Sequence, residues 1–197
     1  VDAPRVSDGT AGGTAALVNQ GATQARTAMT VAQSLTAGLH APAEGTLVAA
    51  SGATTAGGYD GGTQAYDTLG DAWTAKTRGN VNRDEGSGFV SYGNVYVVAG
   101  NSGAGAFTAT GELYKLDEDR WTQITNITNS RRQAPGTGAN NMGFVQTGNS
   151  AAGGSTGTDL NQRYDPANDS WSQQTVVPRI GRVGGGFSMS NLPHHVS

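Results

Sequence analysis

The sequence predicts an all-β, turn-rich domain built from a repeated unit, and three observations carry that prediction. Glycine supplies 31 of the 197 residues, more than twice the roughly 7% of average usage, and without the Gly-X-Y period of collagen. Trp73, Trp121 and Trp171 stand 48 and 50 residues apart, each with a tyrosine seven residues before it: Tyr66, Tyr114 and Tyr164. Gly52, Gly100 and Gly148 recur at intervals of 48 and 48, each after a short β-prone run, LVAAS, VYVVA and GFVQT. Self-similarity at a fixed period of this size marks a repeat architecture.

Composition narrows the class further. Charged residues make up 14% of the chain, against about 25% in ordinary domains, which argues against a solvated, disordered tail. Hydrophobic residues reach 36%, yet no apolar run approaches the roughly 18 residues of a spanning helix, so a soluble chain without membrane insertion is expected. A net charge of −3 and a single close basic pair, Arg131-Arg132, omit the electrostatic footprint of a nucleic-acid binder. The lack of cysteine removes disulfides, thiolate metal sites and cysteine nucleophiles together. The opening VDAPRVSDGT carries neither an initiator Met nor the basic-then-apolar layout of a secretion signal. A processed or trimmed piece fits that opening, with 1–13 an N-terminal extension and 14–197 one domain.

Residues 14–35 admit two readings. Val18, Ala22, Ala25, Met29 and Ala32 follow a helical 4-3-4-3 spacing. Gly21 and the threonines at 14, 23, 27, 30 and 36 weaken a helix and favour strands. Residues 14–24 also overlay 63–73 at an offset of 49, with Leu17 in the Tyr place and Gln24 in the Trp place. Three full units follow, at roughly 38–75, 86–124 and 136–176. Within them, Tyr92-Gly93-Asn94-Val95 is a hairpin signal between FVSY and VYVVA. The Asp67/Asp71 and Asp165/Asp169 turns offer short acceptors that cap backbone N–H groups, and the Tyr and Trp rings supply flat faces for packing between units. Gly186–Asn191 is similar to Gly88–Tyr92, so a fourth unit is expected to start there, with one strand's length left at His194–Ser197.

Each Trp is followed 8 to 11 residues later by arginine: Arg83, then Arg131 or Arg132, then Arg179 or Arg182. This order of elements resembles the kelch repeat: an apolar strand ending in glycines, a Tyr-Asp strand, a polar turn, a Trp strand and an Arg-containing loop. The resemblance covers about residues 38–191, and its most specific part is the Tyr-x6-Trp spacing. Where kelch repeats carry Gly-Gly, this chain has Ser51-Gly52, Gly100-Asn101 and Gly148-Asn149. The resemblance implies an all-β, kelch-like β-propeller with three full four-stranded blades and a fourth shared by N- and C-terminal strands. A larger ring, completed by further sequence or by another subunit, is the alternative closure.

Candidate chemistry is sparse. The sequence lacks HExxH, GxSxG and Walker-type loops, and His40, His194 and His195 sit at a strand start and at the chain's end. Asp117-Glu118-Asp119 offers oxygens for Ca²⁺ but occupies the place of a turn. No catalytic residue, cofactor or metal is expected. The candidate partner-binding residues are Arg83, Arg131, Arg132, Arg179 and Arg182, which in kelch-like rings lie near one face or the channel, where guanidinium groups meet carboxylates of a partner or an acidic glycan. The alternative is that each pairs with a neighbouring unit's Asp or backbone carbonyl. Phe107 joins them as the aromatic in the long loops Gly100–Gly111 and Gly148–Asp159, a length that is often functional. With two lysines and a Gly/Ala/Thr/Ser/Asn-rich surface, the chain is similar in composition to adhesins, fibres and bacteriophage appendage proteins. The expected function is a non-catalytic structural or binding module at a virion or extracellular surface, its partners protein subunits and surface glycan. A soluble carbohydrate-binding or carbohydrate-active propeller is the rival, and an intracellular kelch adaptor a third reading.

Overall fold

Fourteen strands form in the computed structural model, which describes residues 33–41, 46–54, 58–103, 106–150 and 156–178. The expected extension 1–13, most of the ambiguous segment 14–35, the fourth-unit start at Gly186–Asn191, Arg179, Arg182 and the C-terminal histidines lie outside the described residues. The first sheet comprises β1 (Gln33–Ala41), β2 (Thr46–Thr54), β3 (Tyr59–Asp67) and β4 (Ala72–Lys76). The second comprises β5 (Ser87–Ser91), β6 (Asn94–Val98), β7 (Gly111–Lys115) and β8 (Arg120–Ile124). The short β9 (Arg131–Arg132) precedes the third sheet, made of β10 (Gly136–Ala139), β11 (Met142–Gln146), β13 (Asn161–Asp165) and β14 (Ser170–Gln173), while β12 (Asn149–Ser150) leaves it to pair with β9. All three four-stranded sheets are antiparallel and run in chain order. They coincide closely with the units read from the sequence.

Two local readings shift. The hairpin after β5 turns on Tyr92 (φ 48°) and Gly93 (φ 74°), one residue earlier than Gly93-Asn94, because Ser91 pairs with Asn94 and leaves those two as the loop. A two-residue turn with positive φ at both positions matches the twist of the flanking strands, and Asn140-Asn141 (φ 51° and 58°) makes the same turn in the third sheet. Gly52 does not end its strand. A register shift between Ala50 and Gly52 forms a bulge, and β2 continues to Thr54.

The core lies between sheets, and β6 serves both sides of it. Val95 and Val97 pack with Val48, Ala50, Tyr114 and Trp121 towards the first sheet. Tyr96 and Val98 pack with Phe89, Ile124, Ile127, Val145 and Tyr164 towards the third. Alternate side chains of a strand face opposite ways, so a strand covered on both faces reads as an unbroken apolar run, here Val95-Tyr96-Val97-Val98. The first strands of the sheets gather, with β5 packing against both β1 and β10. At the second of these contacts only glycine fits, since a Cβ on Gly136 would overlap the Gly88 backbone.

The Tyr-x6-Trp spacing places the two rings opposite each other across the last hairpin of each sheet. Tyr66 pairs with Trp73, Tyr114 with Trp121 and Tyr164 with Trp171, each at a ring separation of 5.0 Å. Two residues before each Trp an aspartate adopts positive φ, 52° at Asp71 and 45° at Asp119 and Asp169, and accepts the tyrosine hydroxyl at 2.7, 2.7 and 2.6 Å. In the second and third sheets that same carboxylate reaches the preceding sheet. Asp119 accepts the Thr77 N–H at 2.9 Å while the Trp121 indole N–H donates to the Thr77 carbonyl at 2.9 Å. Asp169 and Trp171 hold Thr125 in the same way, at 2.8 and 2.9 Å. The backbone of one threonine is therefore clasped at both its donor and its acceptor by the next sheet's final hairpin.

Two predictions follow from this packing. Gly136→Ala forces the β5–β10 backbones apart and lowers stability by about 1–3 kcal/mol, whereas Gly93→Ala meets no atom within 4 Å and costs only the left-handed strain of about 1 kcal/mol; urea unfolding midpoints rank the two. The Tyr114 hydroxyl above all, opposed by burial and helped by the Thr77 N–H, holds Asp119 below the usual carboxylate range. A depressed folded-state pKa gives stabilisation that is complete above the unfolded value of about 3.9 and is lost as pH falls through the folded value. Asp119→Asn therefore melts lower than wild type at neutral pH and loses less stability below pH ~4, as thermal melts across that range will read.

Candidate functional site

The linkers between sheets carry the arginines, and each linker is pinned by its backbone before its side chain is placed. Arg83, between β4 and β5, accepts the Gly52 N–H on its carbonyl at 2.8 Å, and Arg131 accepts that of Gly100 at 2.8 Å. The approach depends on glycine at position 100, where φ is +103° and a Cβ would stand 2.6 Å from the Asp84 carbonyl oxygen. From that anchor the Arg83 guanidinium enters the following sheet. Nη1 donates to the carbonyls of Ala99 (2.9 Å) and Thr110 (2.6 Å), and Nη2 to Glu112 Oε2 (2.8 Å). Arg83 is 0% and Glu112 2% exposed, and Glu112 Oε1 also accepts from the Asn80 N–H and side-chain amide at 2.8 and 3.0 Å. Burial lowers the Arg83 pKa, with Glu112 opposing the shift. Arg131 is likewise 0% exposed and donates from Nη2 to the Val145 carbonyl at 2.8 Å.

Arg83 and Arg131 thus point into the seams between sheets, bonded to carbonyls and, for Arg83, to a neighbouring carboxylate. Arg132 turns the other way. Its guanidinium carbon lies 5.1 Å from the Phe107 ring centroid and its Nη1 lies 3.0 Å from Glu85 Oε2, both side chains of that ion pair being partly exposed. A guanidinium stacked on an aromatic face gains about 0.5–1 kcal/mol at such a site.

Arg132 and Phe107 belong to a cluster that five separate segments build. Glu85 Oε1 accepts from Gln133 Nε2 at 2.7 Å, and Gln133 Oε1 accepts from Asn149 Nδ2 at 2.7 Å. Asn101 exchanges backbone hydrogen bonds with Asp84, 2.9 Å each way, bridges to Phe107, and donates from Nδ2 to the Tyr59 hydroxyl at 3.2 Å. Burial and the Glu85 charge raise the Asp84 pKa against the pull of Arg132. Asn101 and Asn149, like Glu85 and Gln133, stand 48 residues apart, so the period that exposed the tryptophans also contained these positions. The asparagines stand in the doublets Gly100-Asn101 and Gly148-Asn149, while Glu85 and Gln133 carry no aromatic or glycine marker of the repeat. The described ends of each of the two long loops close on one another: Thr108 N–H returns to the Gly100 carbonyl at 2.9 Å and Thr158 N–H to that of Gly148 at 2.8 Å.

The acidic triplet is occupied within its own turn and the adjoining sheet. Asp119 serves Tyr114 and Thr77, and Glu118 pairs with Lys115 (2.7 Å) and Arg120 (2.6 Å). Among the described residues no group of three or more His, Asp or Glu side chains is placed to hold a metal ion. What the loop face offers chemically is a cation on an aromatic plane beside a carboxylate and several amides, a surface suited to hydrogen bonding and stacking. No protein-family model and no curated protein sequence matches the chain.

Removing one partner from a buried ion pair leaves the other charge uncompensated. Glu112→Gln keeps the shape and an acceptor but strands the Arg83 charge; it lowers unfolding stability by about 3 kcal/mol, measured by denaturant titration, while the exposed control Glu118→Gln leaves the unfolding midpoint nearly unchanged.

Proposed function

We propose that this chain is a non-catalytic structural and binding module whose sheets are successive blades of a kelch-like propeller, set in a virion or cell-surface assembly. One observation carries the reading: the aromatic rings, turn aspartates and linker arginines that recur with the period are used between sheets, the final hairpin of a sheet gripping the one before it and the arginines reaching forward into the next. A directional link repeated from sheet to sheet favours radial stacking, the arrangement in which small four-stranded sheets cover both their faces. The gathering of β1, β5 and β10 supports placing the first strands nearest the axis. Thr175 stands four residues after Trp171, as Thr77 and Thr125 follow Trp73 and Trp121, so the third sheet presents the next clasp position and supports a fourth blade.

The loop face with Arg132, Phe107 and Glu85 is the contact surface of this proposal, directed to subunits of the same or a neighbouring assembly. Its polarity and its arginine-on-phenylalanine contact suit a rim contact. Light scattering and electron microscopy of the native chain test the reading. A symmetric oligomer that dissociates in Arg132→Glu, with secondary structure retained, is the expected result. A lone 20.0 kDa species whose melting temperature rises with added sugar, and does so less in Phe107→Ala, would replace it with the carbohydrate-binding reading.

A further inference from the structure

The two buried arginines have the same anchor and different company. Arg131 keeps one side-chain hydrogen bond, to the Val145 carbonyl. Its Nε and Nη1 find no acceptor among the described residues, and Oε1 of Gln162, a side chain 1% exposed, finds no donor. Register makes these groups neighbours, because Gln162 lies cross-strand from Val145, whose carbonyl the Arg131 head touches. One repeat earlier Glu112 lies cross-strand from Val97, and there its carboxylate takes Arg83 Nη2 at 2.8 Å. Arg83 and Arg131 are 48 residues apart, Glu112 and Gln162 50. The period repeats the cation and replaces the anion with a neutral amide.

Burial draws the Arg131 pKa down to about 10 with no charge opposing it, and that value leaves the guanidinium protonated at neutral pH. Buried charges in folded proteins are paired. A bridging water would supply an acceptor without supplying charge. The amide of Gln162 can turn about its terminal torsion and present Nε2 instead of Oε1, which makes it a donor towards the same point. We infer that Arg131 and Gln162 hold a small monovalent anion of the chloride class between the second and third sheets, in the place that the Glu112 carboxylate takes between the first and second. The ion accepts from the free Arg131 N–H groups and from Gln162 Nε2, and it neutralises the guanidinium. It binds the closed seam and not the open one, so its concentration becomes a term in the stability of that seam.

Thermal melts of the 197-residue chain in sodium chloride against sodium isethionate, at constant ionic strength, test the site. Wild type should show a saturable rise in Tm of about 3–6 °C as chloride reaches tenfold its dissociation constant. Gln162→Glu, which restores the residue found at 112, should melt higher than wild type in isethionate and lose the chloride response. Bromide exchanged into crystals should give an anomalous peak beside Arg131. Equal wild-type melting in the two salts, a chloride response that Gln162→Glu leaves intact, or the lack of a bromide peak would each overturn the inference. The crystal decides the matter if Gln162→Glu does not fold.

Discussion

The backbone of one threonine after the Trp strand of the first and of the second sheet is the point on which the arrangement turns. A sheet of four short strands has two faces to cover and a chain that must leave it, and the leaving segment exposes peptide groups that have no strand partner. In this protein the next sheet satisfies them. Thr77 gives its N–H to Asp119 and its carbonyl to the Trp121 indole, and Thr125 does the same with Asp169 and Trp171. Each clasp joins hydrogen bonding to burial, because the indole that donates also packs on the tyrosine beside it. The tyrosine hydroxyl bonds the same aspartate and so holds the left-handed turn that aims it.

A second link runs through the linkers and has a different balance. Arg83 and Arg131 tie their backbones to the sheet just left and send their guanidinium groups into the sheet to come. An arginine can do this because its planar head presents several donors at the end of a long stem, enough to meet carbonyls on two strands. The cost is a buried charge. In the first seam Glu112 offsets it; in the second Gln162 stands at the matching register and offers no charge. Two interfaces of nearly the same geometry therefore differ in electrostatics, and it is in the second that the anion is inferred.

These links also decide what remains for contact with other molecules. The residues that a sequence reader would most readily credit with binding, tryptophan and arginine, are largely consumed by the scaffold. The loop face instead carries Arg132 on Phe107, Glu85 between Arg132 and Gln133, and the paired asparagines Asn101 and Asn149. Neutral amides and a single cation make this surface weakly charged, in keeping with a chain that is only 14% charged. Association through such a face rests on fit and hydrogen bonding more than on long-range attraction.

The sequence by itself determined the units, since a strand's side-chain alternation and a four-residue turn convert the Tyr-x6-Trp spacing directly into a cross-strand pair. The Asp-bearing turns and the buried run Val95–Val98 are local in the same sense. Which way each arginine points was not legible, because Arg131 and Arg132 are adjacent and of one chemistry, and only the strand pairing of β9 with β12 sends one inward and the other out. The pairing of Glu85 with Gln133, and the mismatch of Arg131 with Gln162, likewise bring together residues 48 and 31 apart whose partners periodicity could rank but not orient. Spacing along a chain fixes which residues are equivalent; only the closing of one sheet upon the next decides which of them meet.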